Sequence, residues 1–324
     1  MKLIAGAFAV VLITLLALLP HLVPPYFLVL ATRIVIFAIF AMSLDLLMGY
    51  TGLPSFGHAA YFGMGSYTAA LLSVHGVTSF FGMIAAATLT SALLAAFFGL
   101  LVLRSADNRI YFMMLTLALS QVVWALAFQW RSVTHGDDGI SGIGKPFIGP
   151  WQLSRPAAFY LAAAAIGLVC ITIMLLIVHS PFGLTLKGIR GSASRMSVLG
   201  YNVWLHRYIA FVVAGVFAGI AGALLPLQNG IASPGQLSVA SSAEAMLMVI
   251  LGGAGTMIGP ALGALIVVLL EFLVSEQTER WMSVLGVIYI AVVLGAPRGV
   301  YPMLRSAVLS LPRHRSRKVV AEST

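Results

Sequence analysis

The chain has 324 residues, of which 60% are hydrophobic and 8% charged, with a formal charge of +9. A soluble domain carries roughly 25% charged residues, so this composition excludes a water-soluble globular protein and makes lipid the fitting solvent. The basic excess does not indicate nucleic acid, because most Lys and Arg sit in gaps between apolar runs and do not interleave with aromatic residues.

A membrane helix needs about 20 mainly apolar residues to cross about 30 Å of hydrocarbon. On that criterion the sequence predicts an all-α polytopic transmembrane bundle with about ten segments, at 3–20, 26–48, 57–74, 79–103, 110–130, 158–178, 206–227, 243–255, 257–273 and 281–297. The first could pass for a signal peptide, but Pro20-His21-Leu22-Val23-Pro24-Pro25 is not a small-residue cleavage site, and it reads better as a helix. The eighth is short for a span and reads as re-entrant or broken, which is tolerated where protein surrounds it.

Basic residues orient the chain. Lys187, Arg190, Arg195 and Arg207, the pair Arg104 and Arg109, and a tail holding Arg298, Arg305, Arg313, Arg315, Arg317 and Lys318 all fall on one side of a ten-crossing bundle. Lys/Arg-rich connections stay cytoplasmic, so both termini are expected there. The membrane domain then covers 1–300, the basic tail 301–324, an outer loop 131–157 and an inner connection 179–205.

Two Gly/Pro-interrupted stretches stand out. In Gly49–Tyr67, Pro54 favours a break and Ser55 can cap the helix that follows. Ser55 and His58 sit at that helix start, whose free N–H groups suit a carboxylate. Gly57, Ala60 and Gly63 put small groups on one face, so a tight helix crossing and a lining of a solute path are both open readings. In Gly252–Ala264, Gly255, Gly259 and Gly263 are spaced by four as a close-packing stripe, with Thr256 beside it. Pro260 is expected to bend or interrupt that helix. A pair of interrupted segments in opposite halves points to a central site in transporters.

Charged and polar residues within spans are few. Asp45, at the inner end of the second span, fits a structural ion pair or interface position, or a gating role. Glu244 can meet an ammonium group or sit hydrated at a helix end, and Glu271 reads as an end residue. Arg33, Ser120, Gln121 and Gln129 can face a shared cavity, though Arg33 can equally snorkel to the surface. Tyr26, Trp130, Trp151 and Trp281 read as interface anchors. The one cysteine, Cys170, has no disulfide partner, and the seven histidines show no metal or catalytic spacing. No phosphate-binding Gly-x-x-x-x-Gly-Lys-Ser/Thr loop occurs, so any ATP chemistry needs another chain. No paired carboxylates or nucleophile–base pair points to an enzyme. The acids lie at span ends, whereas a secondary transporter usually needs them near the midplane.

The inner connection alternates apolar and basic residues at helical spacing from Phe182 to Leu199. It predicts one amphipathic helix with Leu186, Ile189, Ala193, Met196 and Leu199 on a face, stopped at Gly200. Such a face can dock into a partner's groove or rest on lipid head groups.

Three stretches together carry a family resemblance: Gly52 through Gly65 with its Ser-Phe-Gly-His core, Asp138-Gly139-Ile140-Ser141-Gly142-Ile143, and Gly252 through Gly263. Ser180-Pro181-Phe182-Gly183, Ile189-Arg190 and Gly200 fit as well. Over roughly residues 30–300 the chain resembles the permease subunit of branched-chain amino acid type ABC importers, and most of all the longer of that system's two permease types. The resemblance implies a multi-pass protein of the bacterial inner membrane that pairs with a second, related permease. It implies two cytoplasmic ATPase chains carrying ATP and Mg, and a periplasmic solute-binding protein, with no cofactor on this chain.

It further implies a coupling element that includes Phe182, Gly183, Leu186, Ile189, Arg190, Met196 and Leu199. A substrate path is expected along Ser55, His58, Gly63, Gln121, Glu244, Gly255 and Thr256, with Asp137 and Asp138 near the binding protein. One departure is that Gly191-Ser192-Ala193-Ser194 is small and uncharged where the family commonly has an acidic or amide-rich run.

Overall fold

The computed structural model describes residues 20, 23–105, 108–277, 283–284, 286–287, 290 and 299–303. The expected first span at 3–20, apart from Pro20, and the tail beyond 303 lie outside these residues, as does nearly all of the last span at 281–297.

Helix α1 runs Pro25–Asp45 and continues as a π-helical turn, Leu46–Thr51. Residues 52–57 are not helical, and α2 follows at His58–Val74. Then come α3 Phe80–Ser105, α4 Arg109–Gln129 and a four-residue α5, Arg131–Thr134. After the loop come α6 Pro156–His179, α7 Pro181–Gly191, α8 Ala193–Val198, α9 Val203–Asn229, α10 Val239–Gly252 and α11 Ile258–Ser275. Proline at the first turn starts α1, α6 and α7, where a missing N–H costs nothing. Asn202 caps α9 by accepting the Leu205 N–H at 3.0 Å, and Gly230, with φ 79°, ends it.

Among the described residues, six helices are long and apolar enough to cross a membrane: α1 with its π turn, α3, α4, α6, α9 and α11. The expected third and eighth spans are α2 and α10, at 17 and 14 residues. Helices rise about 1.5 Å per residue, so α10 covers only about 21 Å. The bundle is polytopic and α-helical, with four two-residue strands in its loops.

Helices α1 and α9 form the centre. α9 packs along α1, α2 and α3, while α1 also meets α6, α10 and α11. Close approach is made by small residues. A side chain at Gly222 on α9 would strike the Phe62 carbonyl of α2, and one at Gly219 would strike Ser91 of α3. Ser91 in turn donates to the Tyr61 carbonyl at 2.9 Å. The outer faces of α3, α4 and α6 carry exposed Leu89, Leu93, Phe97, Met114, Leu126 and Leu176, a surface suited to lipid.

The bundle has two distinct ends. At the end called upper here, β1 (Ile140–Ser141) pairs antiparallel with β4 (Ile231–Ala232), and β2 (Phe147–Ile148) with β3 (Trp151–Gln152). Lys145 ties this cap to the end of α9 by donating to the Leu227 and Gln228 carbonyls at 3.3 and 3.1 Å. The lower end carries α7 against the π turn, with α8 packed on α7 and α9.

Three sequence expectations are corrected. The inner connection is not one amphipathic helix. α7 ends at Gly191, Ser192 is extended at φ −165°, and its hydroxyl accepts the Arg195 N–H to start α8. A serine with small neighbours favours an N-cap over helix interior. Pro260 does not bend a helix; the expected interruption is the turn at 253–257, and Pro260 lies in the first turn of α11, where proline is tolerated. The Gly255, Gly259 and Gly263 stripe is likewise split. Gly255 belongs to the turn before α11, while Gly259 and Gly263 abut the main chain of Gly252 and Met248 in α10. α10 and α11 thus form a tight hairpin turning at 253–257.

Candidate functional site

The second interruption of the bundle lies upstream of that hairpin. After α9 ends, residues 231–238 descend beside α2 as a strand and a 3-10 turn, Pro234–Leu237, before α10 begins. Gln236 accepts from Ser66, and Leu237 fills the space opposite Gly63. The two broken elements, 52–74 and 231–252, therefore pack against each other. Their helices start inside the bundle, where the Ala59 N–H donates to Ser242 Oγ at 2.9 Å.

Ser55 and His58 are fully buried there. Ser55 is not the N-cap; that position is Gly57, whose N–H donates to Ser55 Oγ at 3.2 Å. Ser43 Oγ donates to the Phe40 carbonyl at 2.7 Å, which uses its only proton. The 2.8 Å contact between Ser43 Oγ and His58 Nε2 is then donated by the imidazole, which fixes the tautomer. The ring also stacks on Phe40 at 5.5 Å. At this helix start the Gly57 N–H is thus taken by Ser55 and the Ala59 N–H by Ser242, so two of the groups expected to be free are already bonded.

An apolar cavity of about 280 Å³ adjoins the break, bounded by Met64, Tyr67 and Leu71 of α2, Leu237, and Val123 and Trp130 on the α4 side. Gln121 is half-buried on α4 and Glu244 half-buried on α10. Glu244 lies within electrostatic reach of Arg33 and Glu271. Arg33 Nη2 donates to both Glu271 oxygens at 2.9 Å, which ties α1 to the last turns of α11.

At the lower end, Asp45 makes no ion pair among the described residues. Its carboxylate is fully buried and accepts two main-chain N–H groups from the hairpin turn, Gly255 at 2.7 Å and Met257 at 3.1 Å. Thr256 caps α11, donating to the Gly253 carbonyl at 2.7 Å and accepting the Gly259 N–H at 3.0 Å. Arg190 of α7 donates to the Gly49 carbonyl in the π turn, and Lys187 lies over the Tyr50 ring at 4.9 Å. Of the substrate-path residues named from sequence, Gln121 and Glu244 stand apart on α4 and α10, and the other five fall in two places. Ser55, His58 and Gly63 meet at the break, while Gly255 and Thr256 belong to the turn below.

Within α7, Gly183, Leu186 and Ile189 are buried against the bundle. Phe182 stacks on His206 at 5.7 Å, and Met196 of α8 packs over Gly188. Leu184, Val198 and Leu199 are exposed, and a groove of about 540 Å³ is lined by Phe182, Leu184, Met196, Tyr201 and His206. Asp137 and Asp138 are exposed at the upper end, in the 3-10 turn Gly136–Asp138. Among the described residues no group of His, Cys, Asp or Glu is placed to hold a metal.

A family model described as the permease component of the branched-chain amino acid transport system matches residues 26–294. The chain belongs to this permease family. It is 26% identical over 321 residues to the high-affinity branched-chain amino acid transport system permease protein LivM of Escherichia coli K12, covering 92% of this chain and 75% of that protein. LivM of Salmonella typhimurium is 27% identical over 298 residues, covering 85% and 70%. LivH of Escherichia coli K12 is 24% identical over 280 residues, covering 82% and 90%. No solved structure matches. The chain is therefore a multi-pass permease subunit of the inner membrane, a transport component rather than an enzyme.

Sequence reasoning did not find Ser43, Ser242, Gln236 or the amide partners of Asp45. Each is a short polar side chain whose partner lies far along the chain, and no local spacing signals such a contact.

Proposed function

We propose that this permease forms, with a second related permease chain, the membrane path of an ATP-driven importer for branched-chain amino acids. Two ATPase chains holding ATP and Mg²⁺ act at the lower, cytoplasmic end, and a solute-binding protein docks at the upper, periplasmic end. The chain crosses the membrane about ten times with both termini cytoplasmic, residues 1–300 forming the membrane domain and 301–324 the tail.

The observation that carries this reading is the lower-end groove. A permease with no phosphate-binding loop needs a docking surface for a separate ATPase, and α7–α8 offers one with exposed Leu184, Val198 and Leu199 beside Lys187 and Arg195. Buried Leu186 and Ile189 anchor α7 to the bundle, so that a push on the exposed side moves the π turn through Arg190. Asp137 and Asp138 face the binding protein. Substrate passes by the break at Ser55, His58 and Gly63, with Gln121 and Glu244 nearby, and the Gly255–Thr256 turn closes the lower end. The apolar wall beside the break suits aliphatic side chains.

The test is uptake by proteoliposomes containing both permeases, the ATPases and the binding protein. ATP-dependent accumulation of leucine, isoleucine and valine supports the reading. Accumulation of another solute class alone moves the substrate assignment, and an absence of ATP dependence overturns the importer.

A further inference from the structure

We infer that Asp45 is a positioning residue for transport: it latches the α10–α11 hairpin to α1, so that movement of α7 reaches the interior break. The inference rests on the permease reading above and deepens it.

The latch is built from opposite sides of one π turn. Asp45 precedes that turn, and its two oxygens take one N–H each from Gly255 and Met257. Gly49 within the turn is pressed against the Asp45 carboxylate and the Gly255 main chain, with no room for a Cβ. Arg190 of α7 donates to the carbonyl of the same Gly49. Arg109, at the start of α4, donates to the Arg190 carbonyl at 3.4 Å. Anything that shifts α7 therefore pulls on the turn that Asp45 clasps.

The held backbone is under strain. Met257 sits at φ 62° and ψ −47°, a region side-chain-bearing residues avoid, and such a conformation persists only where contacts over-determine it. The N–H it presents to Asp45 is one of those contacts. A carboxylate on two peptide N–H groups in a low-dielectric interior is a strong, directional bond. An asparagine keeps one acceptor and turns an NH₂ group toward the other donor.

From the turn, α10 runs without interruption to Ser242, which accepts the Ala59 N–H at the start of α2. Arg190, Gly49, Asp45, the hairpin turn, α10, Ser242 and Ala59 thus form one connected line from the lower surface to the break. Spatial continuity alone does not establish energetic coupling, so the test measures coupling directly.

The importer is reconstituted in proteoliposomes with wild type, Asp45→Asn, Ser242→Ala and the double variant, and leucine uptake per ATP hydrolysed is read for each. Each single substitution is expected to lower that ratio at least fivefold without loss of the assembled complex, and the double variant is expected to be no worse than the stronger single. A wild-type ratio in either single variant, or effects that multiply in the double, overturns the latch. If Asp45→Asn does not assemble, Ser242→Ala decides, because it removes one hydroxyl and leaves the turn intact. A wild-type importer without ATP-dependent uptake would count against the permease reading instead.

Discussion

Arg33 of α1 and Glu271 of α11, 238 positions apart, form an ion pair in which one guanidinium nitrogen donates to both carboxylate oxygens at 2.9 Å. The side chains are 38% and 18% exposed, so the pair is neither a freely solvated contact nor a sealed one. Losing one partner leaves the other charge within the helical bundle. Glu271→Gln is expected to destabilise the protein by about 1–3 kcal/mol, between the exposed and buried limits. The exchanged pair Arg33→Glu with Glu271→Arg should recover most of that loss. Thermal unfolding of the purified protein in detergent reads both, and an exchanged pair no better than the single variant would deny the pairing.

The His58 tautomer yields a second expectation. Ser43→Ala leaves a buried imidazole N–H without an acceptor, a cost of about 1–3 kcal/mol. Ser43→Thr keeps the hydroxyl and should cost less. Equal unfolding temperatures for the two variants would mean that the serine hydroxyl does not receive the histidine proton.

Gly222 and the Phe62 carbonyl are in direct contact across α9 and α2. Gly222→Ala drives a methyl group into main chain that cannot rotate away, and the expected loss is about 1–3 kcal/mol. At Gly191, where nothing lies within reach of a Cβ, alanine should be tolerated. Folded yield and unfolding temperature of the two variants, compared side by side, check the contrast.

Lys145 fastens the upper cap to the α9 carbonyls. Lys145→Met should free residues 136–152 without disturbing the helices. The expected result is faster proteolytic cleavage within that loop at an unchanged unfolding temperature. A fall in unfolding temperature would mean that the lysine supports the bundle itself.

Much of the helical layout was legible in the sequence because apolar runs of about 20 residues have few alternatives in lipid. The expected spans at 79–103, 110–130 and 158–178 differ from α3, α4 and α6 by at most two residues at each end. Breaks were harder to place. Gly252–Ala264, read as a break between spans at 243–255 and 257–273, is a hairpin turn at 253–257, while a further interruption falls at 231–238, where only one Pro-Gly pair marks it. Glycine spacing reports that two backbones come close, but not whether they belong to one helix or two. Asp45 shows the same limit. Its depth was readable, but its partners are main-chain amides 210 and 212 positions away, and an amide leaves no trace in residue identity.

The meeting of Ala59 and Ser242 has an electrostatic consequence. α2 rises from that point and α10 descends from it, so two helices place their N-terminal ends at nearly the same level inside the bundle. Each end carries about half a positive charge from its aligned peptide dipoles. Together they raise the potential at the level of the break without any ionised side chain from either helix start. A small cation at that level meets an unfavourable potential that does not titrate.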